Sequence, residues 1–175
     1  MDWLSIREFL IDSVKMIFTI FVIFFIIFYV VSITQVVGPS MNSTLKHGDV
    51  LILDKIKYRF SEIKRGDIVS LQYGDSKFFI KRIIGIPGDY ISIKNNNLYI
   101  NGVLYNEPYV SENQVYDDFE MSTLGYSKIP DGMYFVLGDN RSNSEDSRLI
   151  GLIPKENIAG KIDLRIWPLN KIQTF

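Results

Sequence analysis

The stretch "MIFTIFVIFFIIFYVV", residues 16–31, holds no charged side chain, and none follows until Lys46. A helix rises 1.5 Å per residue, so about 18–20 apolar residues cross the roughly 30 Å hydrocarbon layer of a bilayer. Tyr29 and Trp3 fall where the two membrane–water interfaces would lie. A cleavable leader has a shorter apolar core and a small-residue exit. "SITQVVGPS" offers no such exit, so the sequence reads as an uncleaved anchor over 16–35, with 1–15 a cytoplasmic or interfacial segment. Arg7 and Lys15 precede the span, whereas the first cation after it is Lys46. That asymmetry predicts a single-pass protein of the cell membrane, N-terminus cytoplasmic and residues 36–175 on the extracytoplasmic side.

The rest is about one domain long. The 175 residues carry 19 Lys and Arg against 20 Asp and Glu, for a net charge of -1, which gives nucleic acid no basic surface to bind. With Cys 0, disulfides, thiol catalysis and thiolate metal sites are excluded. His 1 leaves no histidine metal cluster and narrows the choice of a catalytic base. No metal and no cofactor is expected.

After the span the pattern is short β-rich runs punctuated by turns. The strands read from it are 49–55, 67–73, 77–85, 90–94, 97–101, 133–138 and 160–167. "YGDS" (73–76) and "IPGD" (86–89) are turn signals, the second suited to a type II turn through Pro87 and Gly88. Residues 111–127, acidic and aromatic without a clear period, read as a loop. The fold class is mostly β behind one N-terminal transmembrane helix.

Within "FFIKRIIG" (78–85), strand alternation puts Phe79, Lys81 and Ile83 on one face and Phe78, Ile80, Arg82 and Ile84 on the other. Two readings of Lys81 follow. Its ammonium snorkels to water from an edge strand, or an apolar pocket keeps the amine neutral so that it can accept a proton.

Ser40 follows Gly38-Pro39, a turn that can expose a hydroxyl on a constrained backbone. A serine nucleophile needs a base within hydrogen-bond reach. His47, in the charged "LKHGD", reads as a solvated surface histidine, and no second histidine exists to build a triad. If Ser40 is a nucleophile, Lys81 is the lysine with apolar neighbours on both sides. Lowering its pKa from about 10.4 to around 8 requires roughly 3 kcal/mol of differential destabilisation of the cation, which burial can supply. "GDNRSNSEDSR" (138–148) follows the apolar "MYFVL"; its Asp139, Arg141, Asp146 and Arg148 can pair, and Ser144 and Ser147 can donate and accept hydrogen bonds.

Taken in order after one N-terminal span, "GPSM", "RGDIV" (65–69), "KRIIGIPGD" (81–89) and "GDNRSNSEDSR" closely resemble the type I signal peptidases of the Gram-positive kind. The last two motifs are the specific pair. The resemblance implies a β domain of antiparallel sheets and a Ser–Lys dyad. Ser40 would attack the scissile carbonyl, while Lys81 takes its proton and returns it to the leaving amine. It further implies that Ser144 holds the Lys81 amine and that Asp146–Arg148 and Asp139–Arg82 fix the last loop. Met41 would pack beside the nucleophile, and the Ser40 N–H would form part of the oxyanion hole.

Two positions depart from the motif. Gly38 stands where some relatives complete the oxyanion hole with a hydroxyl, although Gly is usual in the Gram-positive branch. Ser43 stands where "SMxPTL" has a proline, which loosens the turn after Ser40. The family's larger insert reads as reduced here to 95–127.

The implied substrate is the signal peptide of an exported preprotein, cut after small residues at −1 and −3. Five to eight extended residues reach only about 17–26 Å, so the anchor holds Ser40 near the outer membrane surface, against lipid. An extended peptide can pair with a strand edge, and matching positions line its pockets with Val36, Val37, Met41, Leu45, Phe79 and Ile80. A self-cleaving Ser–Lys repressor would need a DNA-binding helix-turn-helix and no span. The remaining alternative is a membrane-tethered, non-enzymatic β module that uses 138–148 to bind a partner.

Overall fold

A computed structural model of the chain describes residues 3–74, 77–112 and 114–175. α1 (Trp3–Phe25) continues through a wider helical turn, Ile26–Val30, as one apolar helix long enough to cross a membrane, with none of its apolar window buried against the rest. The helix begins and ends earlier than the expected 16–35. Residues 31–35, "VSITQ", form strand β1 (Val31–Gln35), because Val, Ile and Thr favour extended backbone and β2 (Val50–Asp54) offers a ladder, Val31 facing Asp54 and Gln35 facing Val50. Where helix becomes strand, Lys55 satisfies freed carbonyls: its N–H donates to Val30 O and its Nζ to Phe28 O, both at 2.9 Å.

The chain then runs through α2 (Lys57–Phe60), β3 (Ile68–Tyr73), β4 (Lys77–Gly85), β5 (Ile91–Lys94), β6 (Asn97–Ile100), β7 (Val103–Leu104) and β8 (Phe119–Glu120). It finishes with β9 (Met133–Leu137), α3 (Ser147–Ile150), β10 (Ile153–Pro154), β11 (Ile158–Trp167) and β12 (Gln173–Thr174). One sheet has the order β1-β2-β11-β3-β4-β9-β10, with β12 on β11; a smaller one has the order β7-β6-β5-β8, and all pairs are antiparallel. Each expected strand is present with its ends moved by at most two residues. Of the "YGDS" turn, Asp75 and Ser76 lie outside the described residues.

The expected loop 111–127 is not irregular throughout. Phe119 pairs with Ile93 as part of β8, a tight helical turn follows at Met121–Leu124, and both Phe119 and Met121 are buried. Phe119 packs against Phe135 of β9 with the rings tilted and 5.2 Å between their centres, which ties the small sheet to the large one. The shared core joins Ile84, Ile91, Ile93, Leu98, Phe135 and Leu137.

The "RGDIV" and "IPGD" motifs brace each other at that junction. Arg65 Nη2 meets Asp89 Oδ2 at 2.9 Å, and Arg65 Nη1 donates to Ile84 O at 2.6 Å. Gly88 has φ +88 and the Asp89 N–H donates to Ile86 O, the geometry of the expected type II turn.

Candidate active site

Ser40 sits just past β1 on a turn that the local sequence makes tight. Gly38 takes φ +90, which a side chain would resist, and the N–H of Asn42 closes back onto Pro39 O at 2.9 Å. Buried Met41 and Leu45 hold the turn in the core. From the other side Asn140 clamps it, its N–H on Ser40 O at 3.0 Å and its Nδ2 on Pro39 O at 3.1 Å. Among the described residues the Ser40 N–H meets no acceptor, leaving a donor free beside the hydroxyl. Ser43 does not loosen the turn. It adopts φ +95, closed to proline, and its hydroxyl donates to Tyr109 O at 2.6 Å.

Lys81 is 2% exposed and its Nζ donates to Ser40 Oγ at 2.7 Å. Snorkelling is excluded. The side chain runs along the apolar face with Phe79, whose ring centre lies 5.3 Å from Nζ. Burial pushes the Lys81 ammonium down to about 8, against the pull of Asp146 and Glu145, which favour the charged form. No carboxylate forms an ion pair with it among the described residues.

The next residue is treated in the opposite way. Arg82 is bidentate to Asp139, with Nε to Oδ1 at 2.9 Å and Nη2 to Oδ2 at 2.7 Å. Its Nη1 donates to Gly66 O at 2.9 Å, and its guanidinium carbon lies 3.9 Å from the centre of the Tyr109 ring. Thr44 donates to Asp139 as well. Asp146 and Arg148 are also bidentate, at 2.8 and 2.9 Å, and Asp146 Oδ2 accepts the Gly138 N–H at 3.1 Å. Arg141 pairs with neither aspartate; it is buried against Glu107 through its two terminal nitrogens, while its Nε donates to Gly138 O at 3.0 Å.

Ser144 departs from expectation. Its Oγ is buried and has no hydrogen-bond partner, so it does not hold the Lys81 amine in this arrangement. The loop passes too close to Gly138 for anything bulkier: a Cβ there would lie 2.2 Å from Ser144 Oγ and 2.4 Å from Ser40 O. His47 is exposed as expected, yet its Nδ1 accepts the Gly38 N–H at 3.2 Å, which occupies that donor.

A cleft of about 180 Å³ opens beside Ser40, lined by Thr34, Gln35, Val36, Val37, Met41, Ser70 and Phe78–Ile80. Leu45 is not among them; it is sealed beneath Met41 in the core. β4 pairs with β9 only from Arg82 onward, so Phe78, Phe79 and Ile80 present an open strand edge to the cleft. Among the described residues no three His, Asp or Glu side chains gather as metal ligands do.

The family model for signal peptidase, peptidase S26, matches residues 10–167. The chain belongs to this family. It is 38% identical to signal peptidase I of Bacillus caldolyticus over 151 residues, 82% of this chain and 83% of that one. Signal peptidase IB of Staphylococcus aureus is 34% identical over 157 residues, 83% of this chain and 82% of the relative. The crystal structure of a signal peptidase I from Enterococcus faecalis matches with a TM-score of 0.53 and 37% identity, covering 58% of this chain and 97% of that one.

Sequence reasoning missed Asn140, Glu107, Thr44 and Ser70. Asn140 lies within "GDNR", where the charged Asp139 and Arg141 carry the stronger signal. The partners of Glu107 and Thr44 lie 34 and 95 residues away, and no local pattern announces such pairs.

Proposed function

We propose that this chain is a membrane-anchored serine endopeptidase that removes signal peptides from exported preproteins, with Ser40 as nucleophile and Lys81 as general base. The observation that carries the assignment is the 2.7 Å contact between a buried, unpaired lysine amine and the hydroxyl of a serine on a constrained turn. In its neutral form Lys81 accepts the Ser40 proton as Oγ attacks the carbonyl carbon of the −1 residue. The carbonyl oxygen, now an anion, meets the free Ser40 N–H. As the C–N bond breaks, Lys81 returns the proton to the departing amine, leaving an acyl ester on Ser40. A water then gives a proton to Lys81 as its oxygen attacks the ester carbon. When the acyl–Oγ bond breaks, Lys81 returns that proton to Ser40 Oγ, and the free hydroxyl and neutral amine are restored.

The arginine–aspartate pairs act on position. Arg82–Asp139 and Arg148–Asp146 lock 138–148 against β4, and Asn140 in that segment holds the nucleophile turn. The substrate segment lies extended against the edge of Phe78–Ile80, with alternate side chains entering the cleft that Val36, Val37, Met41, Phe79 and Ile80 line. Anchoring in lipid with the N-terminus cytoplasmic is supported by Arg7 and Lys15 in the N-terminal part of the helix and by the lack of a cation after it until Lys46. From the expected segments 1–15, 16–35 and 36–175, with 95–127 as a reduced insert, we keep an N-terminal segment, an anchor and an extracytoplasmic catalytic domain. The anchor, however, ends by Val30 and the catalytic domain begins at Val31, because Val31–Gln35 already pairs with β2.

The test is incubation of the purified chain with a preprotein in detergent, with the cut mapped by mass. Cleavage after small residues at −1 and −3, lost in Ser40→Ala, is expected, and His47→Ala should keep most activity. No cleavage, and no labelling of Ser40 by an acylating serine-directed inhibitor, would leave the tethered binding module. Near-complete loss in a folded His47 variant would overturn the dyad.

A further inference from the structure

Ser70 lies on β3 with backbone partners on both sides, Ile80 of β4 and Gly160 of β11. On the same face Ile68, two residues earlier, packs with Val36, Met41, Leu45 and Ile80, while Arg82, opposite Ile68, is taken up by Asp139 rather than by Ser70. The side chain is 4% exposed, yet no hydrogen bond to its Oγ exists among the described residues, and it is not one of the sealed orphan atoms. It lines the cleft beside Ser40. A nearly buried hydroxyl without a partner is costly unless a ligand supplies one, and an apolar side chain would fill the site without that cost.

We propose that Ser70 is a specificity-determining residue whose hydroxyl recognises a hydroxyl-bearing side chain, Ser or Thr, on the cleft-facing side of the substrate. The inference rests on the endopeptidase reading above. In an extended segment the −1 and −3 side chains share one face, so both point into this cleft and either can reach its floor. Ser70 touches no reacting atom. Its effect is therefore on the choice between substrates rather than on chemistry, and a site built to pair with a hydroxyl favours it over a methyl group.

The experiment uses the full chain in detergent with peptides carrying Ala at both −1 and −3, and peptides with Ser or Thr at one of the two. In Ser70→Ala the ratio of kcat/KM for the Ser peptide to that for the Ala peptide should fall about three- to tenfold at one of the two positions, the worth of one neutral hydrogen bond. Each variant's cleavage of the Ala-Ala peptide is its own reference, so a loss common to both peptides cancels in the ratio. Ser70→Thr, which keeps the hydroxyl, should keep the ratio; Ser70→Cys repeats the test at nearly constant size if the alanine variant is unstable. A Ser-to-Ala ratio unchanged at both positions overturns the proposal while leaving the peptidase reading intact. Failure of the unaltered chain to cut the Ala-Ala peptide overturns the peptidase reading, and this inference with it.

Discussion

Lys81 and Arg82 are neighbours on one strand, both buried, at 2% and 9% exposed, and the fold uses them in opposite ways. Arg82 points to the face where Asp139 meets it with two oxygens and Gly66 and Thr44 take up further donors. Lys81 points to the face of Phe79 and Ile83, where its contact is a serine hydroxyl. A buried cation with a bidentate carboxylate stays charged and becomes a brace. A buried cation without one gives up its proton readily and becomes a base. Residue type matters too, since guanidinium does not deprotonate in proteins and a lysine shifts readily when desolvated.

The sharpest way to break this contrast is to remove each side chain in turn and read activity and stability together. Ser40→Ala, Lys81→Met and Lys81→Arg should each lower preprotein cleavage by at least about a thousandfold. Lys81→Met should not lower stability, because it removes a desolvated amine in favour of an apolar chain of similar size. Turnover by the arginine variant would show that the base is not Lys81.

Arg82→Met should do the reverse, acting first on the fold. It strands the Asp139 carboxylate, which is wholly buried. Leaving one partner of a buried pair unpaired costs about 3–5 kcal/mol, worth roughly 6–20 °C in Tm for a chain of this size. Thermal unfolding in detergent measures it; a Tm within about 2 °C of the parent would mean that the pair is not a structural brace.

The pH dependence separates the two residues more finely. Burial brings Lys81 to about 8, well below the ~10.4 of a free lysine. Below about 8 the amine is charged and inert, so kcat/KM should rise with pH through an acid limb near that value. Stability moves in the same direction. Between the folded and unfolded values the unfolded chain holds a proton that the folded chain lacks, so unfolding grows costlier as pH rises through that window. The full span is about 3 kcal/mol, and Lys81→Met should lack it. An acid limb near pH 10 would sink the neutral-base reading.

The long strands of the large sheet, β2, β3, β4, β9 and β11, were legible because they are runs of β-branched and aromatic residues bounded by turn signals. β8 was not, because Phe119 and Met121 are isolated apolar residues in an acidic stretch, buried by what packs on them rather than by a local pattern. β1 was hidden for another reason: "VSITQ" continues the apolar run, and hydropathy does not distinguish a strand from the end of a membrane helix. The Ser40–Lys81 pair and the two aspartate–arginine pairs were readable from motifs, since those residue types carry the chemistry themselves. The Ser144 contact was not, because a hydroxyl's partner depends on a loop path that sequence does not fix.

Glu145 offers the smallest test and the most specific one. It is exposed, forms none of the ion pairs above, and its carboxylate nonetheless pulls the Lys81 pKa upward from a distance. Glu145→Gln removes that pull and leaves the apolar pocket untouched. The acid limb of kcat/KM should therefore move to lower pH, with unchanged Tm and unchanged kcat on the alkaline plateau. The shift should shrink as salt is raised toward 1 M, where the screening length is about 3 Å, because an exposed charge acts on Lys81 partly through solvent. Arg148→Gln would not serve as the mirror test, since it also strands Asp146 and confounds titration with folding. If burial alone set the Lys81 pKa, Glu145→Gln would leave the profile where it was. A limb that moves to higher pH instead would mean that Glu145 acts by opening the pocket rather than through its charge.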